Sequence, residues 1–375
     1  MADRVLTTHA GSLPRPDELA DMIWARMEGE QVDDGELADK IDSAVGEVVA
    51  KQREVGLDVI SDGEMSKTGF STYVNDRFSG FGGRSEFQSD DVAPFPNLAM
   101  KLFATPSMAH LIFSNCVGPV ELSDKDAVHR DIARFKAALG DADPSSAFMG
   151  TISPGQIAFN YPDQHYGSHE AYLAACADAL SYEYNAIIDA GFNLQVDSPD
   201  MAMAAHSRSV GSSVGDWHHH LPLAVEALNG ALEGIPADRV RLHVCWGNTG
   251  TPHTHDVPLA DIIDHVLNVN ARTIYVEGGN PRHSHEWRVF RDVELPAEKS
   301  VILGVIDVKT NYVEHPRVVA DRLVNVGQYI GKDRLLAGTD CGFDTFIRWS
   351  LVDPGVAWLK LRSLVEGAEI ASGEL

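Results

Sequence analysis

Val240-Arg241-Leu242-His243-Val244-Cys245-Trp246, closed by Gly247-Asn248, is the stretch on which the reading of the fold turns. It is short, apolar and ends in turn residues, the composition of a buried strand. Alternation along a strand places Leu242, Val244 and Trp246 on one face and His243 and Cys245 on the other. Two residues of strand rise span about 6.6 Å, so imidazole and thiolate can converge on one metal ion. An isolated His-x-Cys is more often a core histidine beside a core cysteine. Glu277 and Cys341, farther along the chain, change that balance.

Working outward, similar runs recur at residues 5–9, 57–61, 147–152, 193–196, 273–276, 301–306 and 335–339. Helical patterns lie between most of them. One places Ile41, Val45, Val48, Gln52 and Val55 on a single face before Gly56, and another aligns Val319, Leu323, Val326 and Ile330. Further helices are expected near 169–190 and 218–233. Eight strands alternating with helices predict an α/β chain folded as a (β/α)8 TIM barrel. A doubly wound sheet is the competitor, but no Gly-rich phosphate fingerprint follows the first strand. Residues 1–375 are read as one domain. Residues 70–145, between strands 2 and 3, form an insertion or lid, with a Gly/Ser/Asp-rich part (78–91) and a hairpin expected around 109–120.

Ser12, Glu64, Asp197, His243, Cys245, Glu277, Asp307, Asp340 and Cys341 all fall at or just past the C-terminal ends of strands. A barrel gathers those ends on one rim, where active sites are built. About half of the acids and serines are expected to cap helices instead, Ser198 and Asp340 foremost. His243, Cys245, Glu277 and Cys341 make a tetrahedral set suited to Zn²⁺. Their wide spacing requires the fold to exist before the ion is gathered, which argues for a functional metal. The carboxylate is the ligand easiest to displace.

Composition narrows the partners. The 375 residues carry 30 basic and 55 acidic side chains, a net charge of -25, which repels nucleic acid and anionic membranes. No apolar run approaches the roughly 20 residues of a membrane span. Met1-Ala2-Asp3-Arg4 lacks the layout of a signal peptide, and the four cysteines lack disulfide-framework spacing. A soluble cytoplasmic protein with reduced thiols is expected.

Thr7-Thr8-His9-Ala10-Gly11-Ser12, Asp62-Gly63-Glu64, Gln195-Val196-Asp197-Ser198-Pro199, His243-Val244-Cys245, Val276-Glu277 and Asp340-Cys341-Gly342 appear in the order seen in the catalytic half of cobalamin-independent methionine synthase. The resemblance spans nearly the whole chain. It implies a zinc barrel that transfers a methyl or other alkyl group to a small-molecule thiol, most simply homocysteine giving methionine. It further implies that His243, Cys245 and Cys341 are firm ligands and Glu277 a labile one. Glu64 and Asp197, the catalytic carboxylates, would hold the substrate ammonium, and the backbone near Ser12 its carboxylate. The chain departs from the family in an extra stretch, 249–257, with His253 and His255, and in reading Phe159-Asn160-Tyr161 where the family places a tryptophan-bearing stretch.

The rival reading resembles epoxyalkane:coenzyme M transferase, whose sulfonate-bearing thiol would favour Arg15, Arg282 or Lys309 on the rim. A non-catalytic zinc- or thiol-binding barrel is the alternative from another class. Asp307, with His315 flanking Lys309-Thr310-Asn311, is a candidate substrate contact. His218-His219-His220 are expected in a solvated or rim role rather than as a second metal site, since consecutive helix residues cannot all point one way, and Cys116 and Cys176 as buried small hydrophobes.

Overall fold

The computed structural model describes residues 4–103, 113–210, 214 and 216–375. In chain order its strands are β1 (Leu6–Thr7), β2 (Phe78–Gly82), β3 (Phe87–Ser89), β4 (Asn115–Leu122), β5 (Phe148–Ile152), β6 (Asn193–Asp197), β7 (Ser207–Ser209), β8 (Val240–His243), β9 (Thr273–Val276), β10 (Ser300–Ile306) and β11 (Leu335–Thr339). Seven of them form one parallel sheet in the order β1-β11-β10-β9-β8-β6-β5. Strands β5, β8 and β10 are buried at every position, as in a helix-covered parallel sheet, although β8 carries Arg241 and His243 among its four residues.

The expected second strand, residues 57–61, is reduced to a single parallel bridge between Ile60 and Ala147. Its backbone still spans the space between β1 and β5. Asp58 and Val59 donate N–H bonds to the Thr7 carbonyl, and Phe148 donates to the Ile60 carbonyl at 2.9 Å. A regular ladder fails because the Asp58 carboxylate, rather than a backbone carbonyl, accepts the Thr7 N–H at 2.8 Å.

Outer helices follow from the sequence pattern. Asp34–Val55 starts where the Asp33 side chain accepts the Glu36 N–H and stops at Gly56, whose φ of 96° is open to glycine at little cost. Its buried face contains Ile41, Val45, Val48 and Gln52, and Pro316–Ile330 buries Val319, Leu323, Val326 and Ile330. The two other expected helices are His169–Asp189 and Trp217–Ala231. No described helix is long and apolar enough to cross a membrane.

Residues 70–145 are of two kinds. The expected local hairpin at 109–120 lies partly outside the described residues. Its later part, β4, pairs antiparallel with the distant β2 instead. A bulge lets the two strands approach at Gly80, where an added Cβ would stand 2.3 Å from the Pro119 carbonyl oxygen. Strand β3 pairs antiparallel with β7, fastening this segment to the loop that follows β6. Helix Lys125–Leu139 belongs to the outer helical layer, with Phe135 stacked on Phe192 at 4.8 Å.

Arg77 joins the two kinds by pairing with Asp131 of that helix and with Glu183 of His169–Asp189, all three buried. Arg77→Leu strands two buried carboxylates. It is expected to lower unfolding stability by about 3–5 kcal/mol. A urea-denaturation midpoint unchanged from wild type would show that the pairing is dispensable.

Candidate functional site

The C-terminal ends of the strands open onto a cavity of about 970 Å³. Ser12, Glu64, Asp197, His243, Cys245 and Cys341 line it together. Strand β8 ends at His243, three residues earlier than the sequence suggests. Val244 still donates to the Tyr275 carbonyl, but the next outward N–H, that of Trp246, goes to the Glu277 carboxylate at 3.0 Å. Cys245 therefore lies in the loop and not on the strand, yet it meets His243 as expected. His243, Cys245 and Cys341 each bring one ligand atom within 4.8 Å of the other two. The two sulfurs are 3.5 Å apart, and all three residues are buried.

Strand register fixes the histidine. Asp197 sits opposite His243 across the β6–β8 pairing, and its Oδ1 meets His243 Nδ1 at 2.9 Å. Burial works against a charged imidazole there, but the Asp197 carboxylate overrides it and pushes the pKa up to about 9. Between the cysteines, the hydrogen bond from Cys245 to Cys341 raises the pKa of the donor and lowers that of the acceptor. In the absence of a metal, Cys341 is thus the more acidic of the pair.

Glu277 stands outside this three-residue cluster. Its carboxylate is fully buried and bonded to the Trp246 N–H, to Asn280 Nδ2 at 2.7 Å and to Lys309 Nζ at 3.1 Å. Burial alone would raise its pKa, but Lys309, with His283 and His253 behind it, holds it down at about 2. Asp340, expected as a helix cap, instead accepts the N–H groups of Gly278, Gly279 and Asn280. A Cβ on Gly279 would lie 2.9 Å from Asp340 Oδ1, and one on Gly278 would lie 3.0 Å from the Gly304 carbonyl oxygen. Ser198 does not cap a helix either: its hydroxyl bonds Ser153 and Asp200.

Glu64 and Asp197 face one another across Gly150. A Cβ there would lie 3.1 Å from Glu64 Oε1 and 3.6 Å from Asp197 Oδ2. Glu64 is held at a φ of 59° and pairs with Lys67 at 3.2 Å. Burial, together with repulsion from Asp197, raises its pKa against the pull of Lys67. Ser12 packs so closely on Gly342 that a Cβ there would approach Ser12 Oγ to 2.0 Å.

Other expectations fare differently. Asp307 does not line the cavity; its oxygens accept the Lys309 N–H and the Thr310 hydroxyl in a local turn, and His315 caps Pro316–Ile330. His218 and His219 are exposed, but His220 is fully buried between Asp200 and His169. Its helix presents that one ring to the core. Cys116 and Cys176 are buried. The cations suggested for a sulfonate are engaged elsewhere or exposed: Arg15 pairs with Asp344, Lys309 with Glu277, and Arg282 is exposed. Sequence reasoning missed an aromatic wall formed by Phe87, Phe113, Phe159, Phe346 and Trp349. These rings come from distant segments, and Phe113 touches both Phe87 and Phe346.

The cobalamin-independent synthase catalytic-domain model matches residues 158–364, more than half of the chain. The chain belongs to that family. Among curated relatives, the methionine synthase of Thermococcus kodakarensis is 26% identical over 98% of this chain and 94% of its own. The uncharacterized protein YxjH of Bacillus subtilis is 25% identical over 96% and 92%. Among solved structures, a B12-independent methionine synthase from Shewanella sp. W3-18-1, in complex with selenomethionine, superposes with a TM-score of 0.74 at 22% identity. It covers 99% of this chain and 98% of that one. This family member therefore shares its overall fold with that synthase over nearly its full length.

Proposed function

We propose that this protein transfers a methyl or other alkyl group to a thiol, with homocysteine as acceptor and methionine as product. The observation that carries the reading is the convergence of one imidazole and two thiols on the floor of a cavity that also presents Glu64 and Asp197. Full-length likeness to methionine synthases supports it. In this reading the sheet is a (β/α)8 barrel whose second strand is reduced to the Ile60 bridge, and the part of residues 70–145 that carries β2, β3 and β4 acts as a lid.

The buried N and S donors fit zinc, a borderline ion that favours imidazole and thiolate. His243, Cys245 and Cys341 would hold it, with Glu277 as the exchangeable fourth ligand. Zinc bound there would supply a thiol in its deprotonated, nucleophilic form at neutral pH. The chain supplies the rest. Asp197 fixes the ring of His243 through Nδ1, leaving the other nitrogen for coordination. Lys309 and Asn280 give Glu277 a place to rest when it is not coordinated. Glu64 and Asp197 receive the ammonium of an amino-acid thiol, which relieves their mutual repulsion. The aromatic wall excludes water from the reacting groups and seats the alkyl donor.

Zinc-loaded protein given homocysteine and a panel of methyl donors is expected to form methionine, and Cys245→Ser to form none. Failure with every donor would overturn the acceptor assignment. Zinc retention tests the ligand roles separately. Glu277→Gln is expected to keep zinc better than Cys245→Ser, because it changes one weak ligand and leaves both thiolates. Equal loss would make Glu277 a firm structural ligand.

A further inference from the structure

A second group of metal-ligating side chains lies beside the cavity. Asp91, His206 and Asp256 each bring one ligand atom within 4.8 Å of the other two, and none of the three atoms belongs to the cysteine site. They come from three separate loops. Asp91 follows β3, His206 precedes β7 and lines the cavity, and Asp256 lies in the extra 249–257 stretch after β8.

Each of the three residues has one atom engaged by the protein and another left over. Asp91 Oδ1 accepts the N–H groups of Thr254 and His255 and the Thr254 hydroxyl. Asp256 Oδ2 meets His253 Nδ1 and His283 Nε2, both at 2.7 Å, and His206 Nδ1 meets Ser207 Oγ at 3.0 Å. The remaining atoms, Asp91 Oδ2, Asp256 Oδ1 and His206 Nε2, are buried and have no hydrogen-bond partner among the described residues. Two of them, His206 Nε2 and Asp256 Oδ1, stand 3.1 Å apart without the alignment of a hydrogen bond. Without an ion, Asp91 Oδ2 has no partner and His206 Nε2 has only the Asp256 contact, and buried polar atoms left so are costly. A cation satisfies all three.

Both ring nitrogens of His253 face acceptors, Asp256 Oδ2 and the Thr249 carbonyl, so this ring serves the site as a donor and not as a ligand. The two carboxylates and His206 are within reach of one ion, and the outer contacts of His255 on Asp91 and of His253 and His283 on Asp256 orient them as the outer partners of metal ligands do.

We propose that Asp91, His206 and Asp256 form a second divalent-cation site. Its ion is of the zinc or manganese class, held by nitrogen and oxygen donors. It staples the segment bearing Asp91 to the rim loops and so holds one wall of the cavity in place.

The two sites have different ligands, so cobalt(II) separates them. A Cys245→Ser, Cys341→Ser double variant is expected to bind one cobalt with weak visible absorption and no thiolate charge-transfer band. Adding His206→Gln, or independently Asp91→Asn, is expected to weaken that binding by at least about tenfold. No cobalt binding by the double variant, with wild type saturating at one zinc per chain by elemental analysis, would overturn the proposal. Binding that survives both further substitutions unchanged would place the ion elsewhere and overturn it too.

Discussion

Cys341→Ser is expected to weaken zinc binding at the cysteine site by more than about 100-fold, since a hydroxyl is a poor zinc ligand and loss of an outer-shell partner alone costs 10–100-fold. The structure gives a specific reason for a large effect. Cys341 is the more acidic of the two cysteines, because it accepts a hydrogen bond from Cys245 and faces His243. Its loss removes both the readiest thiolate and the group that completes the 4.8 Å cluster. With cobalt(II) in place of zinc, the thiolate charge-transfer band should nearly vanish in this variant. A band of wild-type strength would mean that the ion is not held by Cys341.

The second large effect concerns the acceptor's ammonium group. Glu64 and Asp197 flank Gly150 on the cavity wall, and the two carboxylates repel one another. An ammonium seated between them gains charge-assisted hydrogen bonds of about 1.5–3 kcal/mol each. Asp197 also holds His243, so Asp197→Asn disturbs the proposed metal ligand as well as the proposed ammonium contact. Glu64→Gln isolates the ammonium. It is expected to weaken homocysteine binding by about 10- to 150-fold while leaving a thiol without an amino group unchanged or improved. Calorimetry on zinc-loaded protein decides it. In wild type the same measurement should rank homocysteine above coenzyme M; the reverse ranking would favour epoxide opening by an anionic thiol.

Much of this site was legible because its residues occupy strand ends, where periodicity fixes position. His243, Asp197 and Cys341 each follow a run whose apolar pattern marks it as a strand, and all three line the cavity. Asp307 and Asp340 show the limit of that logic. Both follow strands, but Asp307 closes a local turn with Lys309 and Thr310, while Asp340 accepts three backbone N–H groups from a loop tens of residues away. The partnership of Glu277 with Lys309 was invisible for the same reason. Strand β2 finds β4 across a long interval, and no local hairpin signal encodes that pairing. His220 looked like one of three solvated or rim histidines because a run of identical residues hides which of them faces inward.

The central claim is that the cysteine site binds an acceptor as a thiolate, and proton release tests it most directly. A free thiol has a pKa near 8.5 and is almost wholly protonated at pH 7, so capture as thiolate must liberate about one proton. Glu277, held near 2 by Lys309 and the nearby histidines despite its burial, stays ionised and absorbs none of it. Titrating homocysteine into zinc-loaded protein in two buffers of different ionisation enthalpy should give heats that differ by about one buffer protonation per site. Heats that do not depend on the buffer would show that the thiol binds with its proton, and would contradict the account.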